Sequence, residues 1–345
     1  MRLQAAMWKI RGQDHILRQI EPSLKLGKLA HAYLLVGPPH VGKMTLALDL
    51  AQAVNCSNPS PAPCGECLQC TRIAQGWHAD VRVVEVGQGP DDGPTRTVIS
   101  LGDIKDVLHQ VSLKPYEGAF TVIIFNDAET MSDEAANALL KTLEEPAAQV
   151  MFLLLTANED ALLTTVRSRC RRLRLLPVSK TQIEHHLESH HGSSSEESER
   201  LARLSRGCLG WAITAGESPH VLGEHEAQLE RIREVCQGDL DQRFAYAGEI
   251  ASLFSRDREA GRQVLYFWLR WWRDLLLIKE GSEEYLQDSS RLDDLRLTAT
   301  GLSTVETVDF IKLLLETLEA LDSNARPGLA LEVLMIKLPG ASVSA

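Results

Sequence analysis

GPPHVGKMT, residues 37–45, nearly matches the phosphate-binding pattern G-x-x-x-x-G-K-[ST]. Gly37, Gly42 and Lys43 occupy its fixed positions. The apolar residues 32–36 predict a strand, and the residues from Met44 onward have helical spacing. Glycines let backbone N–H groups approach phosphate oxygens, the helix N-terminus favours negative charge, and the lysine reaches the terminal phosphates. The stretch therefore predicts a nucleotide-binding loop, with an ordinary strand-to-helix turn as the alternative.

The position after the lysine differs from that of a magnesium-dependent ATPase. A hydroxyl there serves as a magnesium ligand. The residue is Met44, and a thioether is a poor ligand for this hard cation. Thr45 carries a hydroxyl one residue later, on another side of the helix turn. The stretch therefore predicts a loop that holds nucleotide but has impaired hydrolysis.

A second metal ligand is expected after the apolar strand TVIIF, where the chain continues with Asn126, Asp127 and Ala128. In one register the neutral Asn126 takes the metal position and Asp127 that of the catalytic base. In the other register Asp127 binds the metal, and Ala128 stands where an acid is expected. A plain turn formed by the two Asx residues is the third alternative. In the first register the charged metal ligand is therefore missing, and in the second the catalytic acid is missing.

Four of the cysteines lie close together in the sequence, at Cys56, Cys64, Cys67 and Cys70. Four thiolates suit tetrahedral zinc, and a short C-x-x-C segment with a glycine, here Gly65, places neighbouring sulfurs at ligand distance. Free thiols and an iron–sulfur cluster are the alternatives. In a chain without a secretion signal, the spacing favours a structural zinc ion that staples a segment rich in proline and serine.

The composition predicts two or three domains with proper apolar cores. The chain has 345 residues, 44% of them hydrophobic, and 36 basic against 47 acidic residues give a net charge of −11. That balance argues against a protein that coats nucleic acid by itself. No apolar run approaches the ~20 residues that span a bilayer, and the N-terminus lacks the apolar core of a secretion signal. We expect a cytoplasmic protein without membrane contact.

Apolar strands alternate with helical segments up to about Pro177, which predicts a parallel sheet covered on both faces. A Ser132 cap starts one of the helices, and Pro146 stops it. Residues 87–97 are predicted as a flexible connection. Beyond Pro177 the pattern is helical, apart from a polar loop predicted at 192–199. The predicted strands cover residues 32–36, 81–86, 121–125 and 150–158.

Three further features each have a functional and a simpler interpretation. Arg169, in the basic run 167–174, could reach a phosphate on a neighbouring subunit, but composition alone favours a solvated basic surface. Three tryptophans of one helix could stack on bases, but they share a face, which favours a core or a subunit contact. Four histidines are interpreted as solvated rather than metal-binding. The tryptophans are Trp268, Trp271 and Trp272, and the histidines are His185, His186, His190 and His191.

A series of short motifs runs through the chain: GPPHVGK, the four cysteines, FNDAE, NALLKTLEEP, LTAN and SRC, then a helical tail with NARPGLALEVLMIKL. This series resembles the delta-prime family of clamp-loader subunits of bacterial DNA polymerase III, which are AAA+ proteins. NALLKTLEEP and SRC are the specific pieces, since many families share the phosphate loop. The resemblance covers nearly the whole chain and is weakest between about residues 217 and 300.

The resemblance implies a fold and an assembly. An α/β AAA+ core, with a parallel sheet of the P-loop NTPase type and a zinc module at 56–70, would occupy residues 1–177. A small helical lid would occupy residues 178–216, and an all-α collar for oligomerisation residues 217–345. The implied partners are gamma/tau and delta subunits in a hetero-pentamer, which loads a sliding clamp onto primer-template DNA.

The resemblance also implies roles for single residues. Arg169 matches the finger arginine of the SRC motif, offered to the ATP of the adjacent subunit, and this reverses the interpretation from composition. The four cysteines match the family's zinc module. Thr156 falls where motor subunits carry a polar sensor, and Gly210 stands in place of the arginine of the lid's second sensor. Zinc would be the structural cofactor, and ATP or ADP could bind without efficient hydrolysis.

We expect a stator subunit that acts in its neighbour's site while its own hydrolysis is lost. An active gamma/tau-type motor is the alternative, in which Thr45 takes over the metal role. A DNA-binding or zinc adaptor protein is the third hypothesis. The chain has no pattern for nucleotidyl transfer, so any DNA-directed DNA polymerase activity would belong to the assembly. The residues of the degenerate nucleotide site are Gly37, Gly42, Lys43, Thr45, Asp127 and Thr156.

Overall fold

The computed structural model describes residues 8–58, 62–86, 97–286, 292–323 and 325–339. The chain divides into two compact units, Met1–Ile213 and Thr214–Ala345. The finer division into core, lid and collar stays a prediction. The flexible connection predicted at 87–97 lies outside the described residues except for Thr97.

A parallel sheet forms the centre of the first unit, with the strand order β2-β3-β4-β1-β5. Its strands are β1 (Ala32–Val36), β2 (Val81–Val84), β3 (Thr121–Phe125), β4 (Val150–Thr156) and β5 (Arg171–Arg174). The predicted α/β core of the AAA+ type is confirmed. Because parallel strands end at one edge, the residues after β1, β3 and β4 meet where the strand order reverses, which is the usual place for a ligand.

Helices of the first unit cover the sheet and continue beyond it. Helix α5 starts where the sequence predicts, because the Ser132 side chain accepts a hydrogen bond from the N–H of Ala135. It ends before Pro146, which cannot continue it. The helices are α1 (Asp14–Lys25), α2 (Lys43–Asn55), α3 (Leu68–Ala74), α4 (Leu101–Val111), α5 (Asp133–Glu144), α6 (Thr164–Arg167), α7 (Lys180–His186), α8 (Ser195–Ser205) and α9 (Leu209–Glu217), which continues past the end of the first unit at Ile213.

Side chains alternate between the two faces of the sheet along each strand. Both faces are buried, because an apolar cluster packs on each of them. Tyr33 and Leu35 of β1 belong to an apolar cluster that includes residues of α1 and α2, such as Leu46. Leu34, between them in the sequence, belongs to a second cluster that includes Leu139 of α5. The near-continuous apolar strands read from the sequence therefore supply two cores, one on each face.

Two segments differ from the sequence-based expectation. The polar stretch 192–199 is predicted as a loop, but α8 begins at Ser195, where the Ser194 side chain accepts from the N–H of Glu197. The stretch turns its small Ser198 inward, so it is helical without an apolar pattern. The basic run 167–174 also contains the unpredicted edge strand β5, in which Leu173 is buried and its neighbours are exposed. With a single buried side chain, the segment shows no alternation of apolar and polar residues from which a strand could be predicted.

The second unit is helical in its described part, as predicted. Trp268 and Trp272 of α12 (Arg258–Lys279) lie in its apolar core with Phe310 of α14 (Thr304–Asp322). The Trp268 indole donates to the Tyr246 hydroxyl at 2.9 Å. The core interpretation of the tryptophans is confirmed. Within the described residues, we find no helix with the length and apolarity to cross a membrane. The helices are α10 (Pro219–Gln237), α11 (Leu240–Arg256), α12 (Arg258–Lys279), α13 (Leu292–Thr300), α14 (Thr304–Asp322) and α15 (Pro327–Ile336).

Candidate nucleotide, zinc and arginine sites

The phosphate loop joins β1 to α2 in the predicted strand–loop–helix geometry. Gly42 is the N-cap of α2 and has a φ of 104°, a left-handed conformation that favours glycine. The Gly37 N–H donates to the Thr156 carbonyl at 3.1 Å. A Cβ on Gly37 would lie 3.0 Å from the Leu175 carbonyl oxygen. The two glycines are therefore needed by the backbone geometry of the loop itself.

Lys43 is buried and folds back over the loop. Its exposed fraction is 8%, and its Nζ donates to the carbonyl oxygens of Gly37 at 2.8 Å and Pro38 at 3.1 Å. A buried ammonium needs such acceptors, because an unpaired buried charge is costly. The lysine therefore has its charge at the loop, as the pattern predicts. A bound phosphate would have to draw it away from these carbonyls.

The two residues after Lys43, where a magnesium ligand is expected, are half-buried in the fold. Met44 is half-buried and packs against the apolar cluster that contains Leu46 and Leu50. A thioether in such a cluster offers no oxygen to a cation. Thr45 is half-buried too, and one residue along a helix turns a side chain by about 100°. The expected impairment at Met44 thus has a packing reason as well as a chemical one.

After β3 the chain makes a tight turn at the carboxyl edge of the sheet. Asp127 is left-handed with a φ of 51°, and its carbonyl accepts from the Thr130 N–H at 2.9 Å and hydroxyl at 2.8 Å. The Asn126 N–H donates to the Val84 carbonyl at 2.9 Å. These bonds fix the backbone of the turn. They leave open both metal registers and the plain turn, since main-chain bonds do not select between side-chain roles.

Glu129 is a carboxylate at this edge that a pattern of adjacent acids misses. Its Oε1 accepts from the Ala157 N–H at 3.0 Å. Its Oε2 is buried without a hydrogen-bond partner among the described residues. The carboxylate therefore ties the exit of β3 to the exit of β4. The signal in the sequence is an acid two residues beyond Asp127, outside the register of a metal ligand followed directly by a base.

Thr156 is the last residue of β4 and is fully buried. Its carbonyl holds Gly37, and its hydroxyl accepts from the Asn158 N–H at 3.0 Å. The side chain therefore stabilises the turn after the strand, directly beside the phosphate loop. Its placement agrees with the position of the predicted polar sensor, whose role stays a prediction.

The first turn of α9 rests on the phosphate loop. The Gly210 N–H donates to the His40 carbonyl at 3.0 Å, and a Cβ on Gly210 would lie 2.8 Å from that oxygen, too close for a side chain. His40 is left-handed with a φ of 61°. Burial lowers the pKa of His40, and the Lys43 ammonium adds to this effect. At the position where the resemblance expects an arginine, backbone meets backbone and only glycine fits.

The four cysteine sulfurs converge at the other end of α2. All four lie within 4.8 Å of one another. Cys56 is the C-cap of α2, and Cys67 is the N-cap of α3. A tetrahedral zinc with Zn–S bonds of about 2.3 Å holds its sulfurs about 3.8 Å apart, close to the 4.0 Å between Cys56 and Cys67. The spacing favours a single ion, because the irons and sulfides of a cluster hold thiolates farther apart.

Backbone donors prepare the cysteines for a metal. The Cys67 N–H donates to the Cys64 sulfur at 3.3 Å, and the Cys70 N–H donates to the Cys67 sulfur at 3.5 Å. Burial raises the pKa of Cys67, but neighbouring N–H groups and sulfurs outweigh burial and bring that pKa to about 6. Such donors stabilise the thiolate, which is the form that binds metal. The residues therefore fit zinc, which would staple this segment.

Three contacts fasten the cysteine segment to neighbouring parts of the first unit. The Gln52 amide of α2 donates to the Cys70 carbonyl at 2.8 Å. The Gln69 amide donates to the Glu117 carbonyl at 2.9 Å, and Arg72 forms an ion pair with the Glu117 carboxylate. The segment is thus held from α2 and from the loop before β3, so it is part of the first unit.

Arg169 lies on the surface, just after α6. Its neighbour Cys170 packs against the apolar cluster of one sheet face, and burial raises the pKa of that thiol to about 12. The Arg169 side chain is 32% exposed. Its guanidinium donates to the Glu144 carboxylate and, at 2.7 Å, to the Thr165 carbonyl. The SRC motif therefore has one half-buried residue packed against the apolar cluster and one partly exposed arginine.

Comparison with known proteins finds subunits of DNA polymerase III among the relatives. The family model described as DNA polymerase III, delta subunit, matches residues 12–179. The tau subunit of DNA polymerase III from Escherichia coli is 34% identical over 67% of this chain and 35% of its own length. The delta-prime subunit from Bacillus subtilis is 27% identical over 94% of this chain and 96% of its own length. The chain thus spans about a third of the tau subunits it matches.

A solved structure of a gamma-subunit-related protein from Thermotoga maritima has 19% identity and a TM-score of 0.42, over 92% of this chain and 97% of that one. At that score the likeness is too weak to bear on fold or function. The sheet order and the strand–loop–helix geometry at residues 32–55 define an α/β core of the AAA+ type. By sequence the chain is a relative of the clamp-loader subunits of DNA polymerase III, as its motifs predict.

Proposed function

We propose that this chain is a delta-prime-type stator of the clamp loader. It completes the ATPase site of a neighbouring motor subunit with Arg169 and does not turn over ATP in its own site. The match to a delta-prime subunit over nearly the full length of both chains supports this proposal. So does the contrast between an exposed arginine and a phosphate loop with an altered metal side.

The observation that carries the proposal is the contact between Gly210 and His40. The lid segment rests on the phosphate loop through its backbone, and a side chain at position 210 has no room. An arginine that senses the terminal phosphate therefore has no counterpart in this arrangement. A lid placed by a direct backbone bond keeps its position whether or not a phosphate is bound, which is what a stator needs.

Arg169 has the chemistry for a role in the neighbouring site. Charge develops on the oxygens of the transferred phosphoryl group, and a guanidinium stabilises it with several N–H donors in one plane. The half-buried Cys170 packs against the apolar cluster and holds the backbone next to Arg169, so the long side chain projects from a packed support. Binding to the neighbour's phosphate and stabilising its charge are the two actions that we assign to Arg169.

The remaining assignments follow from the proposed role. The partners would be gamma/tau and delta subunits in a hetero-pentamer, and clamp and primer-template DNA would be met through that complex in the cytoplasm. The cysteine segment would hold one structural zinc and take no part in chemistry. The net charge of −11 agrees with weak DNA binding by the chain alone.

A gamma/tau-type motor is the second candidate. It is favoured by the phosphate loop, whose glycines and Lys43 keep the expected geometry, and by the tau subunits among the relatives. In that case Thr45 would have to supply the metal ligand. The isolated chain would then hydrolyse ATP with magnesium, and Lys43→Ala would abolish this activity.

The test is ATP turnover by the reconstituted loader, stimulated by clamp and primed DNA. Arg169→Ala is compared with Arg172→Ala, because Arg172 is also exposed and also paired with a carboxylate, that of Glu159. Finger arginines contribute about 10³-fold or more to turnover. We expect a loss of that size at the one interface that Arg169 serves, with assembly intact and the Arg172 variant close to wild type.

Unchanged turnover in the assembled Arg169→Ala complex would refute the proposed role in trans. The isolated chain gives a separate result. Turnover no faster than buffer agrees with the stator. Robust magnesium-dependent turnover would instead establish the motor.

A further inference from the structure

The Arg169 guanidinium is held within its own chain by a carboxylate. Its Nε donates to Glu144 Oε1 at 2.9 Å, and one terminal nitrogen donates to the same oxygen. The other terminal nitrogen donates to the Thr165 carbonyl at 2.7 Å. Glu144 is the last residue of α5, so the contact joins the end of that helix to the turn after α6.

The edge that Glu144 occupies is one that a phosphate would use. A guanidinium recognises carboxylate and phosphate through the same planar pair of parallel N–H groups. With the Nε edge on Glu144 and one terminal nitrogen on Thr165, few donors remain for a second anion. A phosphate can therefore take the full fork of Arg169 only after the carboxylate has left it.

The pair is weak enough to exchange. The two side chains are 32% and 50% exposed, and ion pairs with such access to water change an equilibrium by at most about fivefold. A nucleotide phosphate carries more charge than a carboxylate, so it would win the competition. The ion pair with Glu144 is then strong enough to favour one position of the Arg169 side chain but too weak to prevent its binding to a phosphate.

The charges around the end of α5 also favour this exchange. A helix C-terminus is the negative end of the helix dipole, and acids there are unfavourable. Glu144 and Glu145 stand there together, with Lys141 as the basic residue of the last turn. Loss of the negative charge at 144 therefore relieves the helix end while it removes the pair with Arg169. A neutral variant is expected to fold normally.

We propose that Glu144 is the internal counter-anion of Arg169, a positioning residue that holds the guanidinium until the phosphate of the neighbouring subunit's nucleotide replaces it. This inference rests on the proposed function, since it gives Glu144 a role only if Arg169 is offered in trans. It predicts that removal of the carboxylate charge makes Arg169 more available and the neighbouring site faster.

The test compares Glu144→Gln with Glu145→Gln in the reconstituted loader, each with Arg169 intact and with Arg169→Ala. Glu145 is the matched control, because it is the adjacent exposed acid and the described contacts of Arg169 do not include it. We expect Glu144→Gln to raise kcat/KM for ATP by up to about fivefold. Glu145→Gln should stay at the wild-type value, and Glu144→Gln should have no effect once Arg169 is alanine.

The result separates the two proposals. If Arg169→Ala leaves turnover unchanged, the proposed function fails. If Arg169→Ala lowers turnover but Glu144→Gln leaves it unchanged or lowers it, the counter-anion role of Glu144 alone is refuted. A second readout needs no complex: the ¹⁵N resonance of the Arg169 Nε in the isolated chain should shift in Glu144→Gln and stay in place in Glu145→Gln. An unshifted resonance in Glu144→Gln would also refute the pair.

Discussion

Helix α2 carries a candidate site at each end, and the two ends differ in what they retain. At its N-terminus the phosphate loop has its glycines and Lys43 in place, while Met44 packs into an apolar cluster. At its C-terminus four sulfurs lie within 4.8 Å of one another, a complete donor set for a metal ion. The first end has the shape of its predicted site but carries Met44 where a magnesium ligand is expected, and the second has all four of its predicted ligands together.

The difference shows which parts of a site the fold itself needs. The glycines and the lysine of the loop also satisfy backbone bonds, such as those from Lys43 to Gly37 and Pro38. They are therefore useful to stability whether or not nucleotide turns over. A magnesium ligand has no such second use, and Met44 contributes packing instead. The four cysteines, in contrast, would serve the fold directly as ligands of a structural ion, so we expect loss of one cysteine to lower stability.

The largest effect is expected at the cysteine end. Cys64→Ser should remove the bound zinc and lower the stability of the first unit by ~4 kcal/mol, about 10 °C in Tm, because metal binding couples to folding. Metal analysis and thermal unfolding with and without a chelator measure this. Cys208→Ser, outside the cluster, is the control and should keep one zinc per chain. Visible absorption from iron in the wild type would overturn the zinc assignment.

Asp49, in the middle of α2, tests how the helix is held between its two ends. Burial raises the pKa of Asp49 to about 6, although its Oδ2 accepts from the N–H groups of Ile10 and Lys9. Between pH values of about 4 and 6 the folded state therefore holds a proton on Asp49 that the unfolded state, with a pKa near 3.8, has lost. Stability contributed by this group falls as pH rises from about 4 to 6, by up to about 3 kcal/mol.

The measurement for Asp49 is urea unfolding at pH 4.5 and pH 7. Asp49→Asn can still accept both backbone bonds, so the difference between variant and wild type should move in favour of the variant as pH rises. Asp106→Asn, an exposed acid on α4, is the control and should track the wild type at both pH values. An equal difference at the two pH values would contradict a raised pKa for Asp49.

A smaller effect is expected for Lys43→Ala. It leaves the buried Gly37 carbonyl and the half-buried Pro38 carbonyl without their charged donor, at a cost of about 2 kcal/mol. In the stator, ATP turnover of the loader should stay within about twofold, because the loop of this chain does no chemistry. Thermal unfolding and loader turnover test the two halves of the prediction, with the exposed Lys28→Ala as control. A strong loss of turnover in an assembled complex would favour the motor instead.

The smallest effect is expected for Met44→Thr, which restores the hydroxyl of the phosphate loop pattern. It removes half-buried apolar surface, at a cost of about 1 kcal/mol. We expect no ATP turnover by the isolated chain, because Asn126 and Gly210 still differ from the motor pattern. Magnesium-dependent turnover in this variant, absent from the wild type, would mean that Met44 alone separates the loop from an active site.

Local patterns predicted much of the first unit. The structure agrees residue for residue with the strands predicted at 32–36 and 121–125 and with the predicted start of α5. These elements were predictable because an apolar run and a helix cap are both patterns of neighbouring residues. The cysteine site was also predictable, since close spacing forces the sulfurs of such a segment together. The tryptophan face of α12 was read correctly as core for the same reason, its helical spacing.

Contacts between distant segments were not predictable. Strand β5 has a single buried residue, Leu173, and it can be recognised as a strand only from its pairing with β1. The oxygen of Glu129 that lacks a described partner became visible only once β3 and β4 were placed side by side. No local pattern pairs Glu144 with Arg169, which lie 25 positions apart.

Gly210 illustrates both what the sequence predicts and what only the folded structure reveals. The sequence alone determines that residue 210 has no side chain, and so that the arginine of the motif is missing. Only the folded chain brings that residue against the His40 carbonyl, where a Cβ would meet the oxygen at 2.8 Å. The physical reason is general: residue type and short-range spacing define donors, caps and periods, whereas the distance between two segments depends on how the sheet and helices pack.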